Sequence, residues 1–168
     1  MSSKNYLSIY AKSFNWAGFF LPKKTYKNCS YLYDFCRVVD NIADDEGEIE
    51  IKKIKFQKFV SDFKQKNFEN PVIQNMWNII HEFNISLEII YDLFDGIESD
   101  IKQNVKINTR KDLLIYCYRV AGTVGLMMAK ILSVSKKQSL KSAIDLGIAM
   151  QLTNISVSYT HLRAHETQ

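Results

Sequence analysis

Residues 32–45 read LYDFCRVVDNIADD, and the spacing within this run points to the fold. Leu32, Phe35, Cys36, Val39, Ile42 and Ala43 recur every three or four residues, the period that gathers side chains on one face of an α-helix. The predicted helix runs from Lys27 to Asp44. Beside its apolar face, Tyr33, Arg37, Asp40 and Asp44 step by four, three and four and trace a polar stripe. Asp40 and Asp44 stand one turn apart on that stripe. Like charges at this spacing cost roughly 0.2–0.5 kcal/mol, and acids near a helix C-terminus also oppose its dipole. The pair therefore calls for a stabilising partner. Mg²⁺ would serve, since it prefers oxygen ligands and is commonly held by one or two carboxylates plus a substrate phosphate. Arg37, one turn earlier, carries a planar fork suited to a diphosphate. A solvated acidic helix end is the other reading, and the local pattern leaves both open.

Working outward, Glu46-Gly47-Glu48 ends this helix, and a lysine-rich amphipathic helix follows, in which Ile51, Ile54, Phe59 and Phe63 are expected to be buried. Asn70-Pro71 breaks it. A helix is predicted from Val72 to Phe83, and Ser86 caps another running through Leu87, Ile90, Tyr91 and Phe94 toward Asp100. Val105 to Asn108 reads as a linker. Thr109 caps the next helix, whose apolar core from Leu113 to Leu132 includes Tyr116, Val120, Val124 and Met127. The last helix is predicted from Gln138 to Ile155 through Leu140, Ile144 and Ile148. With only two prolines and six glycines in 168 residues, the composition suits long helices and few loops, so the fold class is all-α.

The apolar content of 46% supplies one sizeable core and indicates one globular unit or a piece of one. The net charge of +4 comes from scattered lysines, without the basic stripe interleaved with aromatics that nucleic-acid binding needs. No nucleic-acid partner is expected. Cys29, Cys36 and Cys117 lie in apolar helical patterns without paired spacing and read as buried free thiols of a cytoplasmic protein. No run approaches the roughly 18 uninterrupted apolar residues of a spanning helix, and Met1 to Lys12 lacks the apolar core of a signal peptide. Any membrane association would be peripheral.

From Ser156 the sequence changes character. His161 and His165 are two of only three histidines, and their i, i+4 spacing would place both rings on one helix face, as zinc requires. The string from Val157 to Thr167, however, resembles a translated adapter from DNA library preparation. Residues 156–168 are accordingly expected to be foreign, and residues 1–155 to be the native part of one domain.

Four stretches resemble the squalene/phytoene synthase family, in family order and across most of residues 1–155. Ser13-Phe14 with Phe20-Leu21-Pro22 resembles its opening, and Tyr33 to Asp45 its first aspartate-rich motif. Tyr116 to Ile131, YCYRVAGTVGLMMAKI, resembles the first family signature, and Leu146 to Ile155, LGIAMQLTNI, the start of the second. The resemblance implies an isoprenoid synthase-type helical bundle with a central cavity, of which this chain is the N-terminal part. The family's second aspartate motif would fall at Ser158 and Leu162, inside the altered tail.

By the same resemblance, Asp40 and Asp44 would bind Mg²⁺, or Mn²⁺, and act in catalysis with Arg37. Ser13, Tyr33, Arg37, Val120, Ala121, Gly125, Gln151 and Asn154 would contact substrate. The implied reaction joins two geranylgeranyl diphosphates head to head into phytoene through a cyclopropyl diphosphate, without NADPH and with peripheral membrane contact for product release. A squalene or hydroxysqualene synthase using farnesyl diphosphate is the alternative, and a non-catalytic helical family member a further one. With one of two carboxylate walls, the chain by itself is expected to have little activity. Gly122 and Gly125 have a second explanation besides channel lining. Each costs a helix roughly 1 kcal/mol relative to alanine, and close helix packing would offset that.

Overall fold

The first predicted helix forms as α1, Lys23–Asp44, in the computed structural model, which describes residues 16, 18, 20–102 and 107–166, with side chains as far as Tyr159. Its apolar face is buried as expected: Leu32, Phe35 and Val39 are inaccessible to solvent. α2, Ile49–Lys64, and α3, Pro71–Glu82, follow, the latter starting with proline in its first turn and with Asn70 accepting from the Val72 N–H. α4, Leu87–Ile101, is capped by Ser86, which accepts from the Glu88 N–H. Among the described residues there is no strand.

These four helices bury one aromatic core. The Phe35, Phe63 and Phe94 rings meet at centroid distances of 5.5 to 6.0 Å, and Trp77 stacks on Phe63 at 5.2 Å while its Nε1 donates to the Phe63 carbonyl at 3.0 Å. α1 is central, packing on α2, α3 and α4. The expectation for α2 needs correction. Phe59 and Phe63 are buried, but Ile54 is 65% exposed, Ile51 is exposed too, and the third buried residue is Phe56. At about 100° per residue, Ile54 lies about 200° round from Phe56, on the opposite face.

A continuous helix covers 110–131 in three parts: α5, Arg110–Cys117, a π-helical turn, Tyr118–Gly122, and α6, Thr123–Ile131. Thr109 starts it with a full capping box, its hydroxyl accepting from the Asp112 N–H and its own N–H donating to the Asp112 carboxylate. By length and composition alone this helix could cross a membrane; here it packs along α1, α4 and the last helix. α7, Lys137–Glu166, is longer than the predicted 138–155, because no proline or glycine follows Ile155 to stop it.

Three helices end on non-glycine residues with positive φ: Lys66 at 56°, Asn84 at 48° and Ser133 at 61°. The ends of α2 and α6 are Schellman turns, and after α3 the Ile85 N–H bonds the Ile80 carbonyl at 3.1 Å. After α6, the Ser133 N–H bonds the Lys130 carbonyl at 2.9 Å and the Val134 N–H the Ala129 carbonyl at 3.0 Å.

Candidate active site

The polar stripe of α1 opens onto a cavity of about 550 Å³. Tyr33, Cys36, Arg37, Asp40 and Asp44 line its α1 wall. Leu93, Ile97 and Asp100 come from α4, Tyr116, Val120 and Val124 from the helix covering 110–131, and Gln151 from α7. The two aspartates meet this cavity because the four-residue step holds them on one face while Leu32, Phe35 and Val39 fix the opposite face in the core.

Charge at this mouth is finely opposed. Arg37 donates from Nη1 to Asp40 Oδ2 at 2.8 Å. Even so, burial holds the Asp40 carboxyl above its ordinary range; the Asp44 charge adds to the rise and Arg37 opposes it. Burial likewise raises Asp100, with further upward pressure from Asp40 and Asp44, while a hydrogen bond from the Tyr116 hydroxyl works against it. Tyr116 is raised in turn, by burial first and then by Asp100. Burial also raises Tyr33, opposed by the Arg37 charge, and pushes the Cys36 thiol up to about 12. Cys36 therefore stays protonated at neutral pH and is no nucleophile.

Asp40 and Asp100 are both held above their ordinary range, with the Asp44 charge pressing on each, and a cation would stabilise such a site. Among the described residues, no three Asp, Glu, His or Cys side chains gather closely enough to hold a metal ion alone. The arrangement fits a hard cation taking Asp40 and Asp44 as protein ligands and the rest of its oxygens from substrate and water.

An apolar groove of about 490 Å³ lies between α6 and α7 and shares Val120, Val124 and Gln151 with the cavity as lining residues. Ala121 and Gly125 line it from one side, Gln151 and Asn154 from the other. Close helix packing, one of the two explanations for the small residues, is seen directly. A side chain at Gly125 would collide with the Ala143 carbonyl, and one at Gly147 with the Ala121 carbonyl, so the two backbones touch at the base of the groove.

Of the residues expected at the site, Tyr33, Arg37, Asp40, Asp44, Val120, Ala121, Gly125, Gln151 and Asn154 each line the cavity or the groove. Ser13 lies outside the described residues. Sequence reasoning missed Asp100 and Tyr116 as a cavity pair and Gly147 as the partner of Gly125. Tyr116 opens a quoted motif and Asp100 ends a predicted helix, but no local spacing joins them.

Residues 7–161 match the squalene/phytoene synthase family. The chain is 31% identical over 158 residues to a phytoene synthase of Pseudescherichia vulneris, covering 87% of this chain and 51% of that protein. It is 32% identical over 151 residues to a 4,4'-diapophytoene synthase of Staphylococcus haemolyticus, covering 87% and 53%. A crystal structure of a dehydrosqualene synthase in complex with ligand aligns with a TM-score of 0.72 at 30% identity, covering 89% of this chain and 53% of that one. The chain thus spans about half the length of the relatives it matches.

Proposed function

The chain belongs to the squalene/phytoene synthase family, and from that premise we propose that it supplies one wall of the active site of a prenyltransferase that joins two prenyl diphosphates head to head. The carrying observation is that the cavity bearing Arg37, Asp40 and Asp44 and the apolar groove share Val120, Val124 and Gln151 as lining residues, so that a charged space adjoins an apolar one. An isoprenoid diphosphate has the same polarity along its length.

Asp40 and Asp44 would hold Mg²⁺, which supplies charge neutralisation at the departing diphosphate. Arg37, kept at the mouth by Asp40, donates to a diphosphate oxygen. Departure of diphosphate leaves an allylic cation, and the apolar lining of the groove keeps water from it. Tyr116, its hydroxyl turned to Asp100, lines the charged cavity, and Gln151 lines both spaces. Two geranylgeranyl diphosphates would pass through a cyclopropyl diphosphate to phytoene. The likeness to a diapophytoene synthase and a dehydrosqualene synthase supports a farnesyl diphosphate enzyme as the second reading.

The test is product analysis of a full-length enzyme containing these residues, given C15 and C20 diphosphates with Mg²⁺, with and without NADPH. Phytoene from the C20 substrate without NADPH is expected; squalene formed only with NADPH would overturn the choice of product. Binding of a thiodiphosphate analogue should require Mg²⁺ and weaken at least about tenfold, or 1.4 kcal/mol, in Asp40→Ala and Asp44→Ala. Metal-independent binding unmoved by either substitution would instead indicate a non-catalytic member of the family.

A further inference from the structure

The π turn decides which residues of the 110–131 helix reach the cavity. Tyr116 precedes it, Val120 lies within it and Val124 follows it, and all three line the cavity wall. In an unbroken α-helix, at about 100° per residue, Tyr116 and Val124 would point about 80° apart. A π turn absorbs one extra residue, which brings the two directions within about 20° of each other. One helix can then present Tyr116 to the charged cavity and Val120 and Val124 to both the cavity and the groove.

The wider turn forfeits regular i→i−4 bonds, so its register needs support from outside the helix backbone. That support comes from α4, which packs along the turn. The Tyr118 hydroxyl donates to Asp92 Oδ2 at 3.0 Å, with both residues half-buried. One residue on, Arg119 Nη2 approaches Asp95 Oδ2 at 3.4 Å, a solvent-exposed pair that contributes little. Gly96 admits the turn between them, since a Cβ there would stand 2.8 Å from Val120 Cγ1 and 3.0 Å from Arg119 Cβ. Asp92 and Gly96 lie one turn apart on α4, so the hydrogen bond and the close contact act from one face.

We propose that Asp92 is a positioning residue: accepting from the Tyr118 hydroxyl, it holds the π turn in register and with it Val120, one of the side chains shared by the charged cavity and the apolar groove. The inference rests on the prenyl diphosphate reading above and adds to it a residue that lines neither space. Its influence falls where the tail leaves the diphosphate. The Asp40–Asp44 end is positioned separately, by α1.

The experiment measures Mg²⁺-dependent binding of inorganic diphosphate and of the C15 and C20 thiodiphosphate analogues to the full-length enzyme by calorimetry, for the wild type, Asp92→Ala, Tyr118→Phe and Asp92→Asn, with thermal melting alongside. Asp92→Ala and Tyr118→Phe are expected to weaken both analogues at least about fivefold and inorganic diphosphate by less than about twofold, within reach of one lost hydrogen bond. Asp92→Asn keeps an oxygen acceptor and should restore wild-type binding of the analogues. Equal weakening of all ligands would mean general loosening, and unchanged analogue binding in Tyr118→Phe an idle hydrogen bond. Either result overturns the positioning role while wild-type binding upholds the parent reading. Tyr118→Phe decides the case if Asp92→Ala does not melt cooperatively. A wild type that binds neither analogue overturns the prenyl diphosphate reading itself.

Discussion

Asp40 sits in its site at a cost to stability, and that cost is measurable. Burial and the Asp44 charge together outweigh Arg37, so its folded-state pKa lies above the unfolded value. The folded chain then holds this proton more tightly than the unfolded chain. The stabilising contribution is complete below the ordinary carboxylate range, fades as pH rises through the window up to the raised pKa, and is gone at neutral pH. Asp40→Asn keeps the shape and removes the charge. It is expected to raise stability at pH 7 by roughly 0.2–0.5 kcal/mol, the scale of an i, i+4 like-charge pair, and to leave it unchanged at pH 3. A melting temperature at pH 7 equal to or below that of the wild type would contradict this. The aspartate pair was legible in the sequence because both members lie on one helix at a fixed spacing. Asp100 was not, because its relation to Asp40 and Tyr116 depends on how the chain folds back between α4 and α5, which no residue pattern along one helix encodes.

At the level of elements, the apolar period located the helices from α1 to α7, but three kinds of detail lay outside its reach. α2 places two isoleucines on its solvent face among lysines, so counting apolar residues there misassigned the buried side. The turns after α2, α3 and α6 close on Lys66, Asn84 and Ser133 instead of glycine, removing the usual sign of a helix end. The π turn at Tyr118–Gly122 has no sequence signature of its own. That turn has structural consequences, since widening the helix withdraws an i→i−4 amide from the Arg119 carbonyl. The buried Thr123 hydroxyl takes its place, donating to that carbonyl at 2.7 Å, while the Thr123 N–H reaches back to Tyr118. Thr123→Val preserves shape and removes the donor. The expected loss is about 1–3 kcal/mol, the cost of leaving a buried acceptor unsatisfied, read by chemical denaturation. A change below about 0.5 kcal/mol, within the ordinary range of a neutral surface substitution, would show that the hydroxyl does not hold the turn.

Across the whole molecule, cohesion is unevenly spread. The buried core is drawn from α1 to α4, the Ile85 turn and the inner side of α6 through Met127 and Ile131, whereas Gly147 is the only buried residue of α7 among those described. Leu140, Ile144 and Ile148, which the periodicity assigned to the inner side of α7, are only half-buried. Leu146 is 63% exposed, and Met150, Val157 and Tyr159 also face solvent. α7 packs on the π turn and α6 with the backbones in contact at Gly125 and Gly147 and with Ile144 and Ile148 beside Gly122, a close approach that leaves its apolar side chains only half-buried. Regions with few buried apolar contacts open locally at a fraction of the global unfolding free energy. Amide exchange in the 168-residue chain should therefore divide the molecule, with α7 at least about tenfold less protected than α1, a difference of 1.4 kcal/mol or more. The division matters for the site because α7 forms one wall of the apolar groove and brings Gln151 to the mouth. The wall carrying Asp40 and Asp44 has its place in the core, and the α7 wall of the apolar groove is the one expected to open. Protection in α7 equal to that in α1 would refute this arrangement, since Gly147 is its only buried residue among those described.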